Sequence, residues 1–269
     1  MIIIIKEQID MGKTSIIAVS GKGGVGKTSI SAAFVRLLTQ AHPEARILAI
    51  DADPAIGLST ALGVEVKETL DDIRKTIVTR VENGEPKAAI EMLNEARFRI
   101  FDTMVENRTF SFLAIGRPEA AGCYCKVNAY LKEVINLLSE DFDYVVIDGE
   151  AGIEQINRRV MEKVTHLILI TDPSRKGVQV VKTIRKVADE LVMYEKCGAI
   201  INRVYDPEML EKAGTVKLLE DDGIDVLTII PGDEEHAYND IRGDSVFELN
   251  EDAPIMRGAE TALKKLKLI

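Results

Sequence analysis

Between an apolar strand-like run, Ser15 to Ser20, and a helix-like run, Ser29 to Gln40, lies the octet Gly21-Lys22-Gly23-Gly24-Val25-Gly26-Lys27-Thr28. A glycine-rich turn at that junction commits the chain to a strand–loop–helix unit with the helix N-terminus facing the loop. Glycine lets the backbone curl with its N–H groups inward, and the helix adds its partial positive charge to the hollow. A polyphosphate fits there. In the pattern Gly-x-x-x-x-Gly-Lys-Thr, Lys27 reaches the β- and γ-phosphates and the Thr28 hydroxyl ligates the Mg2+ that bridges them. Residues Gly21 to Ser29 are therefore the expected nucleotide-binding segment.

Lys22, directly after the first glycine, is a second cation in a loop where one is enough to hold nucleotide. The octet resembles the deviant phosphate loop of the MinD/ParA, arsenite-pump and nitrogenase iron-protein ATPases. That resemblance implies a P-loop NTPase that binds ATP and ADP with Mg2+ and hydrolyses ATP to ADP and phosphate. It also implies a homodimer in which Lys22 reaches across to the nucleotide of the second copy.

With 269 residues and 46% hydrophobic content, the chain is long enough for one large α/β core, and 1–269 reads as a single domain. A net charge of −10, with no Lys/Arg run beyond Lys264, Lys265 and Lys267, argues against nucleic acid as a partner. No stretch reaches the roughly 18 apolar residues of a membrane span, and Met1 to Ile5 is too short for a signal peptide. The expected location is cytoplasmic, with no membrane partner. Three cysteines are too few for a disulfide framework and point instead to metal or redox chemistry.

Along the chain, 1–11 reads as an edge strand or a frayed start, and Gly12-Lys13-Thr14 is rejected as a phosphate site because it precedes the strand. Arg46 to Asp51 is a buried strand that delivers Asp51 and Asp53 to its carboxyl end, the edge where open parallel sheets bind ligands. The family resemblance gives Asp51 the magnesium shell and Asp53 the attacking water. The charged stretch 65–110 reads as a helical insertion, Ser111 to Gly116 as a strand, and Val127 to Leu138 as a helix. Asp143 to Asp148 is a further strand, and Asp148 completes the metal-ordering set before the loop Gly149-Glu150-Ala151-Gly152. Strands at His166 to Thr171, Cys197 to Asn202 and Asp225 to Ile230 alternate with helical runs Gly177 to Tyr194 and Pro207 to Leu219. Such alternation implies a mostly parallel central sheet of about seven or eight strands with helices on both faces. By the same resemblance, Asn202 and Arg203 lie where the adenine is read, with Pro231 lining the other side.

Gly122-Cys123-Tyr124-Cys125-Lys126 bears on what the hydrolysis drives. Two thiolates two residues apart supply half of a tetrahedral or square-planar site for a thiophilic divalent metal. A two-fold dimer meeting loop to loop would supply all four sulfurs. Cys197, alone at a strand start, reads as a packing residue. With the segment Asp148 to Arg159, the cysteine segment resembles the CooC-type accessory ATPases that mature nickel carbon monoxide dehydrogenase, a likeness that runs from Ser15 through nearly the whole chain. It implies Ni2+ or Zn2+ at Cys123 and Cys125 shared across the dimer, and a client that is carbon monoxide dehydrogenase or acetyl-CoA synthase. The alternatives are a positioning ATPase of the MinD/ParA kind acting on membrane or nucleoid, and an iron–sulfur redox ATPase, whose ligands come from two separate loops.

Overall fold

Strand β1 (Ser15–Gly21) runs through the middle of an eight-stranded sheet in a computed structural model that describes residues 14–53, 55–83, 98–116, 140–150 and 163–269. From β1 the chain enters helix α1 (Lys27–Ala41) and returns as β2 (Ile47–Asp51), then forms α2 (Gly57–Leu62) and α3 (Leu70–Glu82). Short strand β3 (Val105–Glu106) and β4 (Ser111–Ala114) follow, then β5 (Tyr144–Asp148) and β6 (His166–Thr171). The chain continues through α4 (Arg175–Leu191), β7 (Lys196–Val204), α5 (Pro207–Ala213), α6 (Thr215–Glu220), β8 (Asp225–Pro231), α7 (Glu234–Arg242) and α8 (Pro254–Leu266).

The strand order is β3-β4-β2-β5-β1-β6-β7-β8, and every pairing is parallel except β3 with β4. The expected doubly covered, mostly parallel sheet is therefore the observed one. After β1 the chain first builds the half containing β2, β4 and β5, and then crosses to build β6 to β8. The carboxyl end of β1 thus lies at the switch point of the topology, where a crevice opens between diverging connections.

Period-two alternation sorts the strands onto two cores. Ile17, Val19, Ile47 and Ala49 pack with α1 and α8 on one face, whereas Ala18, Leu48 and Ile50 pack with Ile73 and Ile77 of α3 and Val181 and Ile184 of α4 on the other. Helix α1 is buried on most sides because α8 lies over it. Its Arg36, 6% exposed, is held there by donating Nη1 to the carbonyls of Val246 (2.7 Å) and Leu249 (2.8 Å). Helix α8 buries Ile255, Met256, Ala259, Ala262, Leu263 and Leu266.

Close approach of α8 to β8 depends on Gly258, where a Cβ would stand 2.4 Å from Ile230 Cγ1. The variant Gly258→Ala gains about 1 kcal/mol of helix propensity but overpacks a fully enclosed isoleucine, a change that costs about 1–3 kcal/mol. A net loss of up to about 2 kcal/mol in urea unfolding is expected.

Several elements differ from the sequence reading. The run Pro207 to Leu219 is two helices, broken at Gly214 with φ 65°. Helix α7, capped by Asp233 accepting from His236 N, escaped the pattern because Tyr238 and Ile241 are exposed and no apolar stripe marks it. Within the stretch read as a helical insertion, α3 and the helical residues 98–103 are followed by β3, which pairs antiparallel with β4 (Val105 with Phe112). Two residues are too few to register as a period. The start 1–11 and the helix read at Val127 to Leu138 lie outside the described residues.

Candidate functional site

Six strand ends converge on the carboxyl edge of the sheet. They bring together Gly21, Asp51, Asp148, Asp172, Asn202 and Pro231, from β1, β2, β5, the turn after β6, β7 and β8.

The loop between β1 and α1 takes its shape from positive φ angles at Gly24 (73°) and Gly26 (88°), a region open mainly to glycine. Gly21 has a second constraint, since a Cβ there would lie 2.1 Å from the carbonyl oxygen of Ile170 in β6. Val25 and Ser29 are buried, Gly23 and Gly24 face solvent, and no side chain caps the start of α1. Asn202 and Arg203 brace the loop from the side. Asn202 Nδ2 donates to Val25 O (2.8 Å), its Oδ1 accepts from Arg203 N (2.9 Å), and Arg203 Nη1 donates to Gly24 O (2.7 Å). The amide expected to read adenine is thus engaged by the loop itself, with one N–H and one lone pair left over.

Asp51 and Asp148 are direct neighbours across β2 and β5, and both are buried, at 0% and 1% exposure. Asp148 accepts from Thr28 Oγ1 (2.7 Å) and from Ser31 Oγ (2.9 Å). Thr28 and Ser31 stand one turn apart on α1, so both hydroxyls face the same strand end. Asp51 accepts from the N–H groups of Asp53 (3.0 Å) and Leu58 (2.8 Å). Burial pushes the Asp51 carboxyl up to about 7, with the neighbouring Asp148 charge adding to it. Burial likewise raises Asp148 to about 6, against the downward pull of Thr28 and Ser31. Two buried carboxylates side by side repel one another, so a cation nearby would stabilise both in their charged form.

Asp53, half-buried at the mouth, accepts from Ala55 N (2.9 Å). Lys27 is folded into the loop with Nζ 3.3 Å from Lys22 O, and burial lowers its pKa against the opposing charges of Asp148, Asp53 and Glu150. Lys22 points the other way and pairs with Asp172.

Beside the braced loop, Asn202, Arg203, Tyr205, Pro231, Asp233 and His236 line a cleft of about 150 Å³. Asp233 Oδ2 and His236 Nδ1 are buried there without a hydrogen-bond partner among the described residues. Sequence reading assigned no role to Ser31, Asp172 or His236, although Ser31 was legible from its helical spacing to Thr28 and Asp172 from its place at a strand end. Cys123 and Cys125 lie outside the described residues. Cys197 is partly buried at the start of β7, its thiol raised to about 11 by burial. Among the described residues, no three His, Cys, Asp or Glu side chains are grouped to hold a metal directly.

Residues 16–246 match the model of the CobQ/CobB/MinD/ParA nucleotide binding domain. The chain belongs to that family. It is a P-loop ATPase of the MinD/ParA type. This ATPase is 37% identical over 252 residues to an uncharacterized ATP-binding protein of Methanocaldococcus jannaschii, covering 93% of the chain and 98% of the relative. It is 30% identical over 247 residues to the carbon monoxide dehydrogenase accessory protein CooC of Rhodospirillum rubrum, covering 87% and 90%. Its fold matches that of a Cyanothece McdA–ATP complex with a TM-score of 0.70 at 20% identity, covering 95% of this chain and 97% of that one.

Proposed function

We propose that this ATPase is a metallochaperone that hydrolyses ATP as a homodimer and assists nickel insertion into carbon monoxide dehydrogenase or acetyl-CoA synthase. Its cargo is Ni2+ or Zn2+ held by Cys123 and Cys125 of the two protomers. The carrying observation is that the strand end preceding the cysteine segment in sequence is tied to the nucleotide edge. Ile115 N donates to Asp51 O (2.8 Å), Ile115 O accepts from Asp71 N (3.0 Å), and the chain turns at Gly116 (φ 81°) seven positions before Cys123. A Cβ at Gly116 would stand 2.5 Å from Thr69 Oγ1, so Ile115 and Gly116 are held between β2 and the head of α3. In this proposal, a shift of the Asp51 to Asp53 turn with nucleotide state is passed to Ile115 and Gly116, the residues that precede the cysteine segment in sequence, through the hydrogen bond from Ile115 N to Asp51 O. The 30% identity to CooC supports the same reading.

In this mechanism the loop N–H groups and Lys27 hold the β- and γ-phosphates, and Asp53 orients the attacking water. Asp51 and Asp148 order the water shell of the cation, and Thr28 Oγ1 retains lone pairs for it after donating to Asp148. Mg2+, when bound there, would neutralise phosphate charge. This donor set of one hydroxyl, nucleotide oxygens and carboxylate-held water suits a hard oxygen-seeking cation and needs no cage of three protein carboxylates. Lys22 approaches the γ-phosphate of the opposite protomer as charge develops there. The adenine enters the cleft between Asn202, Arg203 and Pro231, where Asp233 Oδ2 accepts from its exocyclic amine.

Metal analysis of anaerobically purified dimer tests the cargo. The wild type is expected to carry one Ni2+ or Zn2+ per dimer, or two sulfurs per protomer in ligand terms, and the double variant Cys123→Ala, Cys125→Ala none. Unchanged stoichiometry in that variant would end the proposal. A positioning ATPase shares the octet, but the apolar side of α8, the helix that such a reading would send to a membrane, is buried against the core. ATP-dependent co-sedimentation with liposomes or DNA would revive it.

A further inference from the structure

Lys22 is not idle in the ligand-free protomer. Its Nζ pairs with Asp172 Oδ2, and both side chains are 25% exposed. The carboxylate is built to receive it. Oδ1 of Asp172 accepts from Ser174 N (3.1 Å) and from Ser174 Oγ, which turns Oδ2 toward the loop. Gly177 leaves room below, since a Cβ there would lie 2.3 Å from Asp172 Oδ1 and 2.4 Å from Thr171 Oγ1. The backbone keeps the two partners in register, with Lys22 N donating to Ile170 O (3.3 Å). A carboxylate oriented from behind by a serine, at the end of β6, faces the one loop cation that the protomer's own phosphate cradle does not use.

We propose that Asp172 is a positioning residue for Lys22, holding it within its own protomer until dimer closure takes it away. This inference rests on the proposed action of Lys22 across the dimer. In the proposed dimer the Lys22 side chain extends out of its own protomer to the opposite γ-phosphate, and in extending it leaves Asp172. Each dimer that closes breaks two such pairs, and Asp172 therefore sets the threshold of protein concentration at which ATP produces the dimer. A lysine kept in place also stays out of its own nucleotide pocket, where a second cation would draw the γ-phosphate away from Lys27.

The test compares wild type, Asp172→Asn, Lys22→Ala and the double variant by analytical ultracentrifugation with a non-hydrolysable ATP analogue, and by turnover against protein concentration. Asparagine keeps an acceptor for Ser174, removes the charge and puts an amide NH2 where Oδ2 held the Lys22 ammonium. Asp172→Asn is expected to lower the concentration for half-dimerisation roughly tenfold, two exposed ion pairs being released per dimer, and to leave turnover at saturating protein unchanged. In the Lys22→Ala background the same substitution is expected to do nothing, which a merely structural role for Asp172 would not predict. Dimerisation of the wild type with no shift in Asp172→Asn, or an equal shift with Lys22 absent, would overturn the inference and leave the dimer reading intact. A wild type that stays monomeric at every ATP analogue concentration would remove both.

Discussion

Replacing Lys22 with alanine is expected to lower ATP turnover by about 10²–10³-fold, the usual effect of removing one preorganised charge from a developing phosphoryl transition state. Nucleotide affinity is expected to stay within about threefold, because an interaction made only in the transition state leaves ground-state binding in place. The geometry behind this is the division of labour between the two lysines. Lys27 lies over the loop at 3.3 Å from Lys22 O, while the Lys22 ammonium is turned toward Asp172 and away from the cradle. Steady-state turnover and titration with a fluorescent nucleotide separate the two effects. If Lys22→Ala abolished binding as fully as Lys27→Ala does, Lys22 would be serving its own protomer.

Asp148→Asn is expected to stabilise the ligand-free protein while lowering turnover by about 10²–10³-fold. Asp51 and Asp148 have folded-state pKa values raised to about 7 and about 6 from an ordinary 3.8. A raised carboxyl contributes stability that is fully present below about pH 4 and is lost as pH rises through 6 to 7, because the folded chain must then hold two adjacent buried anions. Asparagine removes one anion and relieves the other, so the variant gains on the order of 1–3 kcal/mol at pH 8 and little at pH 4. His166 slopes oppositely: burial lowers it to about 4, and its contribution is lost as pH falls below its ordinary 6.5. The difference between variant and wild type in urea unfolding, taken at pH 4, 6 and 8, cancels the histidine and leaves the carboxylates. A variant no more stable than wild type at pH 8, or one that keeps its turnover, would contradict the assignment of this strand end to cation ordering.

These residues also mark which features are readable in one dimension. Local conformational preference and short-range spacing carry their own signal, so the octet, the strand–helix alternation and the terminal aspartates of β2 and β5 were legible from the chain, and the parallel sheet with them. The Thr28 and Ser31 pair is also a matter of helical period. By contrast, β3 is two residues long and exists because β4 offers it an edge, and α7 shows no apolar stripe because Tyr238 and Ile241 face out. Neither has a local pattern strong enough to announce it.

Asn202 shows the limit most clearly. Its position at the end of β7 is a property of the sequence, but its engagement with Val25 O is a contact between residues 177 positions apart. The pairing of Lys22 with Asp172, 150 positions apart, is of the same kind. The amino-acid sequence by itself determined that this protein has a phosphate loop between a strand and a helix, a second lysine within it, and acidic residues delivered to strand ends. Only the tertiary structure decided which carboxylate that lysine holds and that Asp51 and Asp148 lie side by side. Chain order specifies what each strand end carries, whereas the sheet order β2-β5-β1-β6-β7, set by crossover packing of helices on both faces, decides which ends become neighbours.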